Sequence, residues 1–137
     1  MPKRTPPWFG TIEIEITEFR DDPPNDAAFG IYADVKGAGS RVETVRVYFD
    51  EDLFPGYFRV RWNKKLPDEE RKILHEKRDL MIRWALVKIE DYLKGKIQEE
   101  TVFISYARDS AWLEKVEKSK ISPQSRPEGP NRFIFDA

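Results

Sequence analysis

Thr11-Ile-Glu-Ile-Glu-Ile-Thr17 alternates apolar and acidic side chains without a break. In an extended chain successive side chains point to opposite faces. Ile12, Ile14 and Ile16 therefore share one face, and Glu13 and Glu15 share the other. A strand with one oily and one wet side belongs to a sheet that is covered on one face only.

The same pattern repeats outward from this stretch. Arg20 to Ala27 holds Pro23-Pro24 among Asp and Asn residues and must loop. Phe29 to Lys36 then alternates, with Phe29, Ile31, Ala33 and Val35 on one side and Tyr32, Asp34 and Lys36 on the other. Gly37 to Ser40 tolerates positive φ and predicts a hairpin turn into Val42–Phe49, where Val45, Val47 and Phe49 face one way and Arg46 and Tyr48 the other. Beyond Pro55-Gly56, residues Tyr57 to Trp62 read as a fourth strand, Phe58, Val60 and Trp62 alternating with Tyr57, Arg59 and Arg61. Short strands joined by loops predict an antiparallel meander.

Pro67 to Lys94 predicts a long helix. Proline and three acids open it, Lys94-Gly95 close it, and the pairs Asp68/Lys72, Asp79/Arg83 and Glu90/Lys94 stand four apart with the acid first. Leu80, Met81, Trp84, Val87 and Ile89 lie on a wide apolar face that must pack against the sheet. Thr101 to Ala107 predicts a fifth strand, and Asp109 or Ser110 caps a short helix reaching about Lys118. Ser119 to Asn131 carries three prolines among Ser, Lys and Arg and reads as a solvated spacer before the apolar run Phe133-Ile134-Phe135. The expected fold is α+β: an antiparallel sheet of four to five strands, one long helix on one face, a short C-terminal helix and an extended tail. Residues 1–118 form the expected domain, and 119–137 the linker and tail.

Val102 to Trp112, within TVFISYARDSAW, resembles the opening strand and loop of a Toll/interleukin-1 receptor (TIR) domain. The resemblance implies a doubly wound parallel sheet built from several further βα units. In enzymatic members it also implies a glutamate on a later helix that acts on a dinucleotide. Parallel strands need crossovers of a dozen or more residues each. Residues 103–137, with their proline-rich stretch, leave no room for them, and Glu114 and Glu117 fall on the wrong element for that glutamate. The expected fold therefore stays with the antiparallel sheet.

Composition narrows function more than it defines it. The chain has 137 residues, no cysteine and one histidine, which removes disulfides, thiolate metal sites and thiol nucleophiles. Lys and Arg total 24 against 25 Asp and Glu, a balance that gives no long-range field to gather polyanions. MPKRTPPW has no apolar run behind its basic pair, and no window is apolar enough to span a bilayer. A cytoplasmic protein without membrane association is the expectation.

His75 stands alone on the long helix, so catalysis by it is not expected, and neither a cofactor nor a resident metal is called for. The sharpest catalytic alternative is a Mg²⁺-dependent nuclease-like site. Asp34-Val35-Lys36 resembles the core of PD-(D/E)xK nucleases, with Asp22 or Asp26 as the further acid; in that family the acids hold the metal and the lysine steadies water or phosphate. A second alternative is a platform for single-stranded nucleic acid on the wet sheet face, made of Tyr32, Arg46, Tyr48, Tyr57, Arg59 and Arg61. Glu13, Glu15 and Asp34 share that face and would neutralise much of its charge. The reading best supported is a non-catalytic interaction module, an adaptor, small subunit or homo-oligomer. It would meet a protein partner (itself or another) through Phe133, Ile134 and Phe135 of the tail, or through a sheet edge. Docking of the tail on its own sheet is the competing fate for those three residues.

Overall fold

A computed structural model describes residues 8–20, 23–24, 26–37, 41–54 and 68–137, without the side chains of residues 70, 71, 73 and 74. The expected fourth strand, Tyr57–Trp62, lies outside the described residues, as do Asp21 and Asp22.

Strands β1 (Thr11–Arg20), β2 (Phe29–Lys36) and β3 (Val42–Phe49) form the antiparallel meander that their alternation predicts. Ile12, Ile14, Ile31, Val35, Val45, Val47 and Phe49 are fully buried on one face. β1 runs beyond Thr17 by means of a bulge. Ile16 faces Ala33, but Glu18 and not Thr17 faces Tyr32. One extra residue exchanges the faces of everything after it. Phe19 thereby turns toward the apolar layer, with its ring 6.3 Å from that of Phe29. Arg20 turns to the wet side.

Helix α1 (Asp68–Leu93) follows and leads to β4 (Thr101–Ile104), which lies parallel to β3. This corrects the antiparallel expectation. A long helix between two neighbouring strands carries the chain back to the end where it started, so the next strand runs in the same direction as the last. Helix α2 (Tyr106–Glu117) begins where the sequence suggested a strand still ran. Its cap is Ser105 and not Asp109 or Ser110: the Ser105 hydroxyl accepts from Arg108 N at 3.3 Å, while Asp109 accepts from Ser105 N at 3.1 Å. Both oxygens of Asp52 also receive the amides of Tyr106 and Ala107, at 3.3 and 3.2 Å. The positive end of α2 is thus already satisfied by carboxylates from the chain itself.

The tail folds as a hairpin, β5 (Arg126–Pro127) and β6 (Arg132–Asp136), and β6 pairs antiparallel with β1. Among the described residues the sheet is six-stranded and mixed, in the order β4-β3-β2-β1-β6-β5. One apolar cluster joins its inner face to Met81, Trp84, Ala85, Ile89 and Leu93 of α1 and to Leu113 and Val116 of α2. Both helices therefore cover the same face. No helix among the described residues is long and apolar enough to cross a membrane.

Candidate functional site

The outer face brings together Tyr32, Arg46 and Tyr48, as their alternation predicts. Tyr32 and Tyr48 meet edge to face at 5.9 Å, and their hydroxyls lie 2.9 Å apart. The guanidiniums of Arg46 and Arg20 stand 5.6 and 5.8 Å from the centre of the Tyr32 ring, and Phe103 extends the row 5.3 Å from Tyr48. Arg20 and Phe103 were missed by sequence reasoning. The first is brought there by the bulge, the second by the parallel placement of β4. Tyr57, Arg59 and Arg61 lie outside the described residues.

Gly30 makes the tyrosine pair fit. A Cβ there would stand 3.2 Å from ring carbons of both Tyr32 and Tyr48. Gly30→Val is therefore expected to part the hydroxyls and to cost about 1–3 kcal/mol by overpacking. A lower denaturation midpoint together with altered near-ultraviolet tyrosine dichroism is the measurement that checks it.

Tyr48 is only 3% exposed, so its ring supports the face from beneath and offers no stacking surface. Burial first, then the hydrogen bond and charge of Tyr32, push its hydroxyl from 10.0 up to about 12. The folded chain thus holds this proton to higher pH than the unfolded chain does. The stability contributed is complete below the unfolded value and is lost as pH rises toward 12. A spectrophotometric titration is expected to show one tyrosine ionising late, together with unfolding, and Tyr48→Phe is expected to remove that late step.

Charge on this face is mixed. Arg132 pairs with Glu13 at 2.9 Å, Arg20 approaches Glu18 at 3.7 Å, and Asp34 accepts from the Thr44 hydroxyl at 2.8 Å. Asp34 is thus tied to β3, and Lys36 is exposed at the end of β2. Asp26 sits in the preceding loop with φ of 58°. Among the described residues no group of three or more Asp, Glu, His or Cys is arranged to hold a metal ion. His75 is exposed on α1.

The tail residues divide between the two faces. Phe135 is 1% exposed opposite Ile12, Phe133 is half-buried opposite Ile14, and Ile134 lies on the outer face opposite Glu13. The structure therefore has the self-docked tail, as a strand of its own sheet.

That leaves the two sheet edges. β5 is two residues long and includes Pro127, which has no amide to offer. Among the described residues no strand pairs with the outer side of β4. Arg46 N donates to Glu100 O at 2.8 Å and Asp50 N to Ile104 O at 3.1 Å. In a parallel ladder this phase turns the backbone of Val102 and Ile104 toward β3, and that of Thr101 and Phe103 away from it. Phe103 and Tyr106 are 39% and 57% exposed beside this edge. The Phe103 carbonyl accepts from the Arg108 guanidinium at 2.5 Å. A groove of about 510 Å³ runs along the strand, lined by Lys88, Lys96, Glu99, Thr101, Phe103 and Arg108 among others.

Among the described residues the fold is a two-layer α+β domain, a mixed sheet with two helices on one face and β4 as one of its edge strands. Comparison of the chain with protein-family models, with curated proteins and with solved structures finds no match.

Proposed function

We propose that the protein is a non-catalytic interaction module that docks an extended polypeptide segment along β4. One observation carries this reading: the outward backbone of Thr101 and Phe103 lies beside the exposed side chains of Phe103 and Tyr106. Strand addition draws its affinity from such main-chain groups, and its selectivity from neighbouring side chains. The ion pairs and mixed charge of the outer face favour this reading over a polyanion partner.

The test is an array of synthetic peptides of randomised sequence, supplemented with peptides spanning residues 97–108 of the chain itself. Some peptides are expected to bind and to shift the Thr101 and Phe103 amide resonances. Phe103→Pro removes an outward amide without removing a ladder bond to β3, and is expected to abolish that binding. An array without any binder sensitive to Phe103→Pro refutes the reading.

A second reading, a single-stranded nucleic-acid binder, is favoured by the two guanidiniums that flank Tyr32. It requires salt-sensitive binding of a labelled single-stranded oligonucleotide, weakened by Tyr32→Ala and by Arg46→Ala. No binding at low salt removes it.

A further inference from the structure

We propose that Ser122 is a phosphorylation site, and that Arg83 of α1 receives the phosphoryl group it acquires. The inference does not draw on the edge reading.

Arg83 reaches from α1 to the chain that follows α2. Its Nη2 donates to the Ser119 hydroxyl at 2.7 Å and to the Ser122 hydroxyl at 3.4 Å. Nε, on the same edge of the guanidinium, is shielded from water and has no hydrogen-bond partner. That edge is the fork that takes two oxygens of one carboxylate or phosphate. Here it meets only hydroxyl oxygens, one of them at long range, and an enclosed N–H without an acceptor is destabilising. Among the described residues Arg83 belongs to no ion pair. Asp79, one turn earlier, is exposed and does not pair with it. Glu90, two turns later, is taken up by Gln124 and Ser125.

Of the serines on this segment, Ser122 is the one suited to carry a phosphate. Ser119 is held at the negative end of α2, its amide donating to the Val116 carbonyl at 3.1 Å. Ser125 donates to the buried carboxylate of Glu90, which a phosphate would repel. Ser122 is exposed, and its hydroxyl makes two 3.4 Å contacts, with Arg83 and with the Ser119 carbonyl. It is the one serine of the chain followed by proline, and Pro123 keeps its backbone extended. An exposed, extended serine is open to the in-line approach of a nucleoside triphosphate held by a kinase. In the transfer the Ser122 oxygen bonds to the γ-phosphorus, and the bond from that phosphorus to the β–γ bridging oxygen breaks. The hydroxyl proton passes to the base of the kinase, and a nucleoside diphosphate leaves.

A phosphoserine carries about −1.5 to −2 charge near neutral pH and three strong acceptor oxygens. Two of these replace the long hydroxyl contact on Nη2 and give Nε its acceptor. Residues 118–127 include Lys118, Lys120 and Arg126 and no acid. Glu114 and Glu117 engage Lys118, and Asp136 engages Arg126, which leaves Lys120 as a further cation two residues from the phosphate. Phosphorylation thereby ties the chain after α2 to α1, beside the anchor that Glu90 makes.

The full chain is incubated with ATP and serine/threonine kinases that accept serine before proline, and modified positions are read by mass spectrometry. A phosphate on Ser122 is expected, absent in Ser122→Ala. Phosphorus-31 resonance then follows the second ionisation of the phosphoserine. A neighbouring guanidinium favours the dianion, so this ionisation is expected at least about 0.5 pH unit lower with Arg83 present than in Arg83→Gln, and in between for Arg83→Lys. Exchange of the 119–125 amides is expected to slow by about threefold or more on phosphorylation, and to be indifferent to it in Arg83→Gln. Circular dichroism establishes that each variant is folded. Inorganic phosphate added at millimolar concentration to Ser122→Ala separates a free anion from a covalent one, and no shift of the Arg83 Nε resonance is expected. Saturable binding in that arm makes Arg83 the site of a free anion and overturns Ser122 as its carrier. A folded chain that these kinases leave unmodified at Ser122 overturns the site. A phosphoserine that titrates alike in wild type and Arg83→Gln overturns the role of Arg83.

Discussion

Replacing Phe135 with alanine is expected to cost about 3–5 kcal/mol, the range for removing a buried aromatic ring from a packed core. The ring is 1% exposed, lies opposite Ile12 in the β1–β6 ladder, and has the Lys94 ammonium 5.7 Å from its centre. Domains of this size are stabilised by about 5–15 kcal/mol in all, so the loss leaves little margin. A second consequence follows from the position of β6. That strand covers one side of β1, whose ten residues include Ile12, Ile14 and Ile16. A long apolar strand with an unpaired edge recruits other chains. A chain ending at Ser119 is therefore expected to aggregate where the full chain stays dispersed. Urea melts check the point substitution: a lower midpoint with unchanged slope is expected. Ile134→Ala, half-buried on the opposite face of the same strand, is expected to cost less. A Phe135→Ala loss below about 1 kcal/mol would place the tail outside the cooperative unit.

The three meander strands were legible because each has one dry and one wet side, and alternation in Ile12, Ile14 and Ile16 records that difference directly. The bulge at Thr17 was not legible. A single inserted residue leaves no mark in composition, yet it decides that Arg20 and not Phe19 joins Tyr32. The direction of β4 was equally hidden in its own four residues; the length of the helix before it held that information. At the site, Tyr32, Arg46 and Tyr48 were placed on one face by parity alone. Parity says nothing about depth, and Tyr48 proves buried. The tail was read as an apolar run after a solvated spacer because the partners that hold it are far away in sequence. Arg83 donates to Ser119 at 2.7 Å and Lys94 lies over Phe135, whereas their four-residue spacing from Asp79 and Glu90 predicts ion pairs within the helix. A signal for the strongest of these anchors was present. Glu90 is four residues after Leu86 and three before Leu93, inside the apolar stripe of α1, where an acid demands a partner.

Glu90→Ala is expected to destabilise the protein by about 2–4 kcal/mol, because it removes the one acceptor on which several donors of the C-terminal segment converge. The Glu90 side chain is 2% exposed. Its oxygens accept from the Gln124 amide at 2.9 and 3.1 Å, from the Ser125 amide at 3.1 Å, and from the Ser125 hydroxyl. A carboxylate suits this place because it is all acceptor and each oxygen has two lone pairs, so adjacent backbone amides and a hydroxyl are served together. Alanine leaves those donors facing a cavity, and the chain between α2 and β6 loses its fixed course. The damage should be local before it is global. Exchange of the Gln124 and Ser125 amides is expected to accelerate, and proteolysis within 119–131 to increase, at denaturant concentrations where the β1–β3 amides stay protected. Glu90→Gln separates charge from shape: its single carbonyl oxygen retains part of the clasp, and its amide donors find no acceptors among the amides of Gln124 and Ser125. An intermediate loss is therefore expected for glutamine. Equal and small losses in both variants, within about 0.5 kcal/mol of wild type, would mean that water satisfies these amides as well as Glu90 does and that β1 pairing alone holds the tail in place.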